Sequence, residues 1–187
     1  MYSDVAKFFI DRNNKNNIFL DIIINVLVGA CMSTLYPAYP IIGVGAVVLK
    51  NNSILLVRRG NPPGKRLWSV PGGKLNVGED IREGVARELN EETGLVGEIV
   101  DLLDIFQIII RDGRGGVKYH YVIFDFLIRV NGGALRPGSD ALDARFFNLN
   151  EALKLDLTKS TRILIEKLKK GSRMRCQIEI LDLINDV

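Results

Sequence analysis

Apolar positions in this chain fall into short runs with changing period. Residues 41–50 (IIGVGAVVLK) and 53–59 (SILLVRR) are rich in β-branched side chains and are separated by Asn51-Asn52. That pattern predicts two strands joined by a tight hairpin turn. A Gly/Pro-rich loop over 60–65 follows, and Leu67-Trp68-Ser69-Val70 leads into Pro71-Gly72-Gly73. Such a turn has a backbone that can approach a ligand closely. The period then lengthens: Ile81, Val85 and Leu89 recur every four residues, which predicts a helix with one apolar stripe facing a core. Glu79 and Asp80 stand where acids favour a helix N-terminus, and Gly94 where helices commonly end. Beyond it, 97–110 and 117–130 read as strands around the turn 112–116 (DGRGG), with Asn131-Gly132-Gly133 as a further break. Residues 144–149 read as a short strand. In 158–170, Ile163, Leu164, Ile165 and Leu168 form a helical stripe that Gly171 stops.

Strands, helix, strands, helix is a mixed α/β order, not a repeating parallel one. A length of 187 residues with 47% hydrophobic content suits one domain with a sizeable core, placed at 40–170. Residues 1–39 form an N-terminal extension, and 171–187 a tail that packs as strand or helix on the domain or on a partner. Within the extension, 18–32 (IFLDIIINVLVGACM) is mostly apolar but interrupted by Asp21 and Asn25. It falls short of the roughly 20 apolar residues a membrane span needs, and Asp21 argues against export. Three readings stand: translation starting at Met32, an amphipathic helix, or a targeting segment. The net charge of +3 is too mild to argue for nucleic-acid binding. Cys31 and Cys176 give neither a disulfide framework nor a zinc spacing, which makes a reducing, cytoplasmic home the simplest. His120, the single histidine, lies in an apolar, aromatic run and reads as a satisfied wall residue.

The chemistry concentrates on the first helix. Glu88 and Glu92 are four apart and Glu91 is three from Glu88, so the three carboxylates share a neighbourhood off the apolar stripe. Like charges at that spacing cost roughly 0.2–0.5 kcal/mol per pair. Arg87 is the nearby cation that could offset them, and a hard divalent ion such as Mg²⁺ is the other candidate. A solvated acidic face is the plain alternative. Arg58, Arg59, Lys65 and Arg66 flank the loop before the Gly-Gly turn and Lys74 follows it, so these are candidate phosphate contacts.

Residues 73–95 spell G-x5-E-x7-R-E-L-x-E-E-x-G-L, which resembles the signature box of the Nudix hydrolases with every defining position filled. The resemblance extends over about 40–170 and implies an α/β/α sandwich with a mixed sheet. It implies Mg²⁺, with Mn²⁺ as a substitute, held by Glu88 and Glu92 with Glu91 close by and the Gly73 carbonyl joining. Arg87 and Glu79 would brace the loop-to-helix junction. The general base would be Glu88 or Glu91, or an acid on a later loop, where Asp140 and Asp143 stand. Its activity would be hydrolysis of a nucleoside diphosphate linked to a further group. Flanking sequence is similar to ADP-ribose pyrophosphatases, which implies a small nucleotide as partner, ADP-ribose cut to AMP and ribose 5-phosphate, and a homodimer. Arg58, Arg59, Arg66, Lys74 and Asp143 would bind substrate, and Trp68, Tyr119, Tyr121 or Phe146 could stack a base. One departure is Ile110, where many ADP-ribose hydrolases carry proline. The alternatives are a (d)NTP pyrophosphatase clearing damaged nucleotides and a nucleotide sensor without catalysis, whose sign would be a degenerate box.

Overall fold

The computed structural model describes residues 34–138, 140–170 and 178–184. The three readings of the apolar run at 18–32 lie outside the described residues. The strands are β1 (Ile41–Lys50), β2 (Ser53–Arg59), β3 (Trp68–Ser69), β4 (Gly72–Lys74), β5 (Leu95–Arg111), β6 (Val117–Gly133), β7 (Ala141–Asn148) and β8 (Ile178–Ile184). The helices are α1 (Ile81–Thr93), α2 (Leu149–Ala152) and α3 (Lys159–Lys169).

They form an eight-stranded sheet in the order β3-β2-β1-β6-β5-β8, with β4 also on β1 and β7 on β2. β1 runs parallel to β6 and β5 parallel to β8, while the other pairings are antiparallel, so the sheet is mixed. The period of two along β1 divides the core. Val44, Ala46 and Val48 pack with Val85 and Leu89 of α1, and Val47 packs with Leu164 and Ile165 of α3. A helix thus covers each face of the sheet, and the arrangement is an α/β/α sandwich.

The hairpin at Asn51-Asn52 forms, with Asn51 at φ 55°, a left-handed position that asparagine tolerates. Asn131-Gly132-Gly133, expected to break the chain, is instead the end of β6: Gly132 and Gly133 pair with Val96 and Leu95. Gly133 Cβ would stand 2.2 Å from the Gly94 carbonyl, so glycine here serves strand contact and not chain reversal. β5 is likewise longer than 97–110 and bulges at four places along its ladder with β6. Residues 178–184 of the tail are strand: β8 lies beside β5, held by Arg111–Asp182 at 2.9 Å and by Lys167–Glu179 at 2.8 Å.

Candidate metal and phosphate site

The loop after β4 and the first turns of α1 act as one unit. Asp80 caps the helix by accepting the Arg82 N–H at 2.8 Å, and Gly94 ends it at φ 69°. Arg87 sits at the centre. Its Nε and Nη2 donate to Glu79 at 2.7 and 2.9 Å, and Nη2 also reaches the Lys74 carbonyl at 3.0 Å. Its Nη1 donates to Glu88 at 2.7 Å and to Glu91 at 3.4 Å. A planar guanidinium can satisfy this many acceptors at fixed angles, which lysine cannot. Glu79 also takes the Asn76 N–H at 2.8 Å. Arg87 first, and then that N–H, hold the Glu79 carboxyl down to about 2. The fork therefore ties the loop to the helix.

Glu88 and Glu92 lie against the Gly72-Gly73 backbone. A Cβ at Gly73 would stand 2.5 Å from a Glu88 carboxylate oxygen, so the close approach requires glycine. Glu92 Oε2 accepts the Gly72 N–H at 2.9 Å. Gly72 itself adopts φ 155°, and a Cβ there would meet the Val44 carbonyl at 2.2 Å. β4 is fixed by its ladder with β1, where Gly43, Val44 and Gly45 face Lys74, Gly73 and Gly72. Burial pushes the Glu88 carboxyl up against the opposing pull of Arg87. Burial also pushes Glu92 up to about 7; the Gly72 N–H and Arg59 oppose the rise, and Glu88 and Asp140 add to it. Glu91 is half exposed on the same helix.

Among the described residues no three His, Cys, Asp or Glu side chains already converge to hold a metal ion. The donor chemistry nevertheless fits a hard cation. Two carboxyls whose ionisation burial opposes sit beside a main-chain segment, and all the donors are oxygen, the ligand type Mg²⁺ takes. Glu88, Glu92 and the Gly73 carbonyl are the residues that would hold it, with Glu91 next to them.

The remaining candidates divide. Arg59 is half-buried, donates to the Pro63 carbonyl at 3.0 Å and acts electrostatically on Glu92. Asp140 acts on Glu92 too, and its loop is clamped from two sides. Gly138 N–H donates to the Glu92 carbonyl at 3.0 Å, and Gly60 N–H to the Asp140 carbonyl at 2.9 Å. Arg58 and Asp143 instead belong to a second group. They face each other across β2 and β7, Arg58 bonds the Arg66 carbonyl at 3.2 Å, and Asp143 pairs with Arg145. The Arg145 guanidinium lies 5.7 Å above the Trp68 ring. Lys65, Arg66 and Lys74 are exposed. Of the aromatic candidates, Tyr119 is buried and stacks on Tyr121 at 6.2 Å, while Phe146 packs against the α1 core. His120 shares a 3.0 Å hydrogen bond with Gln107.

Sequence reasoning passed over two buried acids, Asp104 and Asp125, and the partly exposed Lys167 of α3 that pairs with the first. Asp104 and Asp125 are 1% and 3% exposed and face each other across β5 and β6. A signal existed, since an aspartate within VIFDFLI is out of place in an apolar strand.

Comparison with known proteins places this geometry. The model of the NUDIX domain matches residues 40–168. An ADP-ribose pyrophosphatase of Methanocaldococcus jannaschii is 40% identical over 117 residues, 63% of this chain and 67% of that protein. The 8-oxo-dGDP phosphatase of Mus musculus is 32% identical over 92 residues, 49% of this chain but 26% of its own length. Among solved structures, a MutT NUDIX hydrolase from Burkholderia pseudomallei is 30% identical with a TM-score of 0.59, covering 70% of this chain and 98% of that one. The MutT protein of Bacillus halodurans shares the fold at a TM-score of 0.66, with 23% identity over 78% of this chain and 92% of its own.

Proposed function

Because the chain belongs to the Nudix hydrolase family, we propose that it hydrolyses the pyrophosphate of ADP-ribose to AMP and ribose 5-phosphate with Mg²⁺, for which Mn²⁺ substitutes. The observation that carries the reading is the pair of partly buried acids, Glu88 and Glu92, laid on the bare Gly72-Gly73 backbone. Mg²⁺ at these oxygens supplies charge neutralisation for the pyrophosphate and lowers the pKa of a water. Arg59, which already acts on Glu92, is the cation that would meet a phosphate oxygen beside the metal. Arg87 holds Glu79, Glu88 and the Lys74 carbonyl in place, so that the acids need little rearrangement when substrate arrives.

Water attacks phosphorus and must lose a proton. Asp140, exposed and acting on Glu92, is the acid we assign as acceptor, because Asp143 is engaged by Arg145 and both Glu88 and Glu91 by Arg87. Cleavage of the P–O bond then releases the two phosphate monoesters.

ADP-ribose is favoured by the archaeal relative's name and extent. Ile110, where many ADP-ribose hydrolases carry proline, stands against it. The residue is buried within β5 and paired on one side with Tyr119 and on the other with Leu183, where proline would forfeit a ladder hydrogen bond. The second reading, a (d)NTP or oxidised-nucleotide pyrophosphatase, is favoured by the shorter match to the mouse enzyme. A sensor without catalysis would not need Glu79, Arg87, Glu88, Glu91 and Glu92 together. We also assign a cytoplasmic homodimer. Leu35, Tyr36, Tyr39 and Ile42 at the entry to β1 are exposed apolar surface of the kind a symmetry mate covers. No described helix is long and apolar enough to cross a membrane.

The test is a panel of ADP-ribose, ADP, ATP, dinucleoside polyphosphates, NADH, 8-oxo-dGTP and dNTPs with Mg²⁺. ADP-ribose should exceed ADP and ATP in kcat/KM by more than about tenfold, or about 1.4 kcal/mol. Oxidised dNTPs outrunning ADP-ribose would overturn the substrate while leaving the chemistry in place.

A further inference from the structure

Asp125 lies in the middle of β6, 3% exposed, and its Oδ1 has no hydrogen-bond partner. Buried polar atoms are rarely left so. Opposite it in the parallel ladder is Gly45 of β1. A Cβ on Gly45 would stand 2.0 Å from Asp125 Oδ1, 3.1 Å from its Cγ and 3.3 Å from a Val70 methyl, so the carboxyl occupies the space a side chain would need. On its other side Gly45 pairs with Gly72 of β4, and a Cβ on Gly72 would be 2.9 Å from Gly45 Cα. Gly72 N–H is the group that holds Glu92 at 2.9 Å. The Pro71 carbonyl next to it accepts the Ala46 N–H at 2.8 Å. One continuous packed line therefore runs from Asp125 through two side-chain-free residues to an acid of the metal site.

We propose that Asp125 is a positioning residue for hydrolysis: its carboxyl, seated on Gly45, sets the β1–β4 spacing that aims the Gly72 N–H at Glu92. The proposal rests on the metal-site reading above. The surroundings oppose ionisation of this carboxyl. From β5, Asp104 faces Asp125; from α3, Lys167 reaches Asp104 at 2.6 Å, and from β8, Glu179 takes the same ammonium at 2.8 Å. Gly45 of β1 and Val70 of the β3–β4 link bring no charge. The one cation in this group already serves two carboxylates. Burial, and then Asp104, push the Asp125 carboxyl up to about 7. Above that pH a third carboxylate charge, without a cation of its own, would have to be accommodated against Gly45, at the expense of the Gly72–Glu92 contact.

The experiment measures Mn²⁺ affinity, by calorimetry or paramagnetic resonance, and the pH profile of kcat/KM in the full chain. Wild type, Asp125→Asn, Asp125→Ala, Gly45→Ala and the Gly45→Ala/Asp125→Ala double variant are compared. Asp125→Ala should weaken Mn²⁺ about tenfold, the scale of losing a support behind a metal ligand. Asp125→Asn keeps the shape and cannot ionise, so its kcat/KM relative to wild type should rise about threefold or more between pH 6 and pH 8. Gly45→Ala should lose Mn²⁺ affinity, and Asp125→Ala should restore part of it in the double variant. Parallel pH profiles for wild type and Asp125→Asn, with no rescue in the double variant, would overturn the proposal. Failure of the wild type to bind Mn²⁺ at all would instead overturn the metal-site reading, so the two failures are separate. If Asp125→Ala does not fold, the Asp125→Asn profile and the Mn²⁺ affinity of Gly45→Ala still decide.

Discussion

Glu92→Gln should make the metal-free protein more stable and the metal-loaded protein worse. In the absence of an ion, burial raises the Glu92 carboxyl from 4.5 to about 7. The sign follows from proton binding. A carboxyl with a raised folded pKa holds its proton more tightly folded than unfolded, so its contribution favours folding at low pH. That contribution is lost as pH rises from 4.5 toward 7 and is absent above it. At about 1.4 kcal/mol per pH unit, ionised Glu92 costs the metal-free fold about 3 kcal/mol. Glutamine has nearly the same shape, keeps an oxygen for the Gly72 N–H and carries no charge, so it removes that cost. For a domain of this size, about 3 kcal/mol corresponds to a rise of roughly 6–12 °C in Tm. Thermal denaturation at pH 8 in EDTA measures it. Adding Mg²⁺ at about 100 times its Kd should then stabilise wild type by about 2.7 kcal/mol and the variant by much less, because one anionic ligand is gone. A variant less stable than wild type in EDTA, or one that gains as much from Mg²⁺, would refute the reasoning.

Hydrolysis by Glu92→Gln should fall by about 10²-fold or more under saturating Mg²⁺, comparable to losing a preorganised electrostatic group; full activity in excess EDTA would sink the mechanism. Mg²⁺ affinity should climb with pH up to about 7 and then level, because Glu92 must shed its proton to bind; calorimetry in two buffers of different ionisation enthalpy reads the released proton. Gly73→Ala, whose Cβ would stand 2.5 Å from Glu88, should weaken the metal by about 10–100-fold with the fold retained on circular dichroism. Lys167→Met strands Asp104, 1% exposed, without its cation and should cost about 3–5 kcal/mol in urea denaturation. Light scattering at micromolar concentration should report twice the 20.9 kDa chain mass; the monomer mass would remove the dimer.

Much of this molecule was legible before any coordinates. The β-branched runs of β1 and β2, the four-residue stripe Ile81-Val85-Leu89 and the punctuation at Asn51 and Gly94 are local signals. Each reports the period and dihedrals its own segment needs, and the structure has the elements there. Neighbours in sequence also determine the acid cluster, because residues three and four apart on a helix must share a face. Other features depend on what a segment meets, and a chain read alone does not contain that. Gly132-Gly133 looked like a break and is strand, because the glycines accommodate close backbone contact with Gly94 and Leu95. Arg59 acts on Glu92 while its neighbour Arg58 stands opposite Asp143, because the β2–β7 ladder shifts register between the two arginines. Asp125 is a lone acid in an apolar strand until parallel pairing sets it against Gly45, and Gly45 in turn lies against Gly72, whose N–H holds Glu92. Periodicity specifies which residues turn inward; only the packed sheet decides which of them touch.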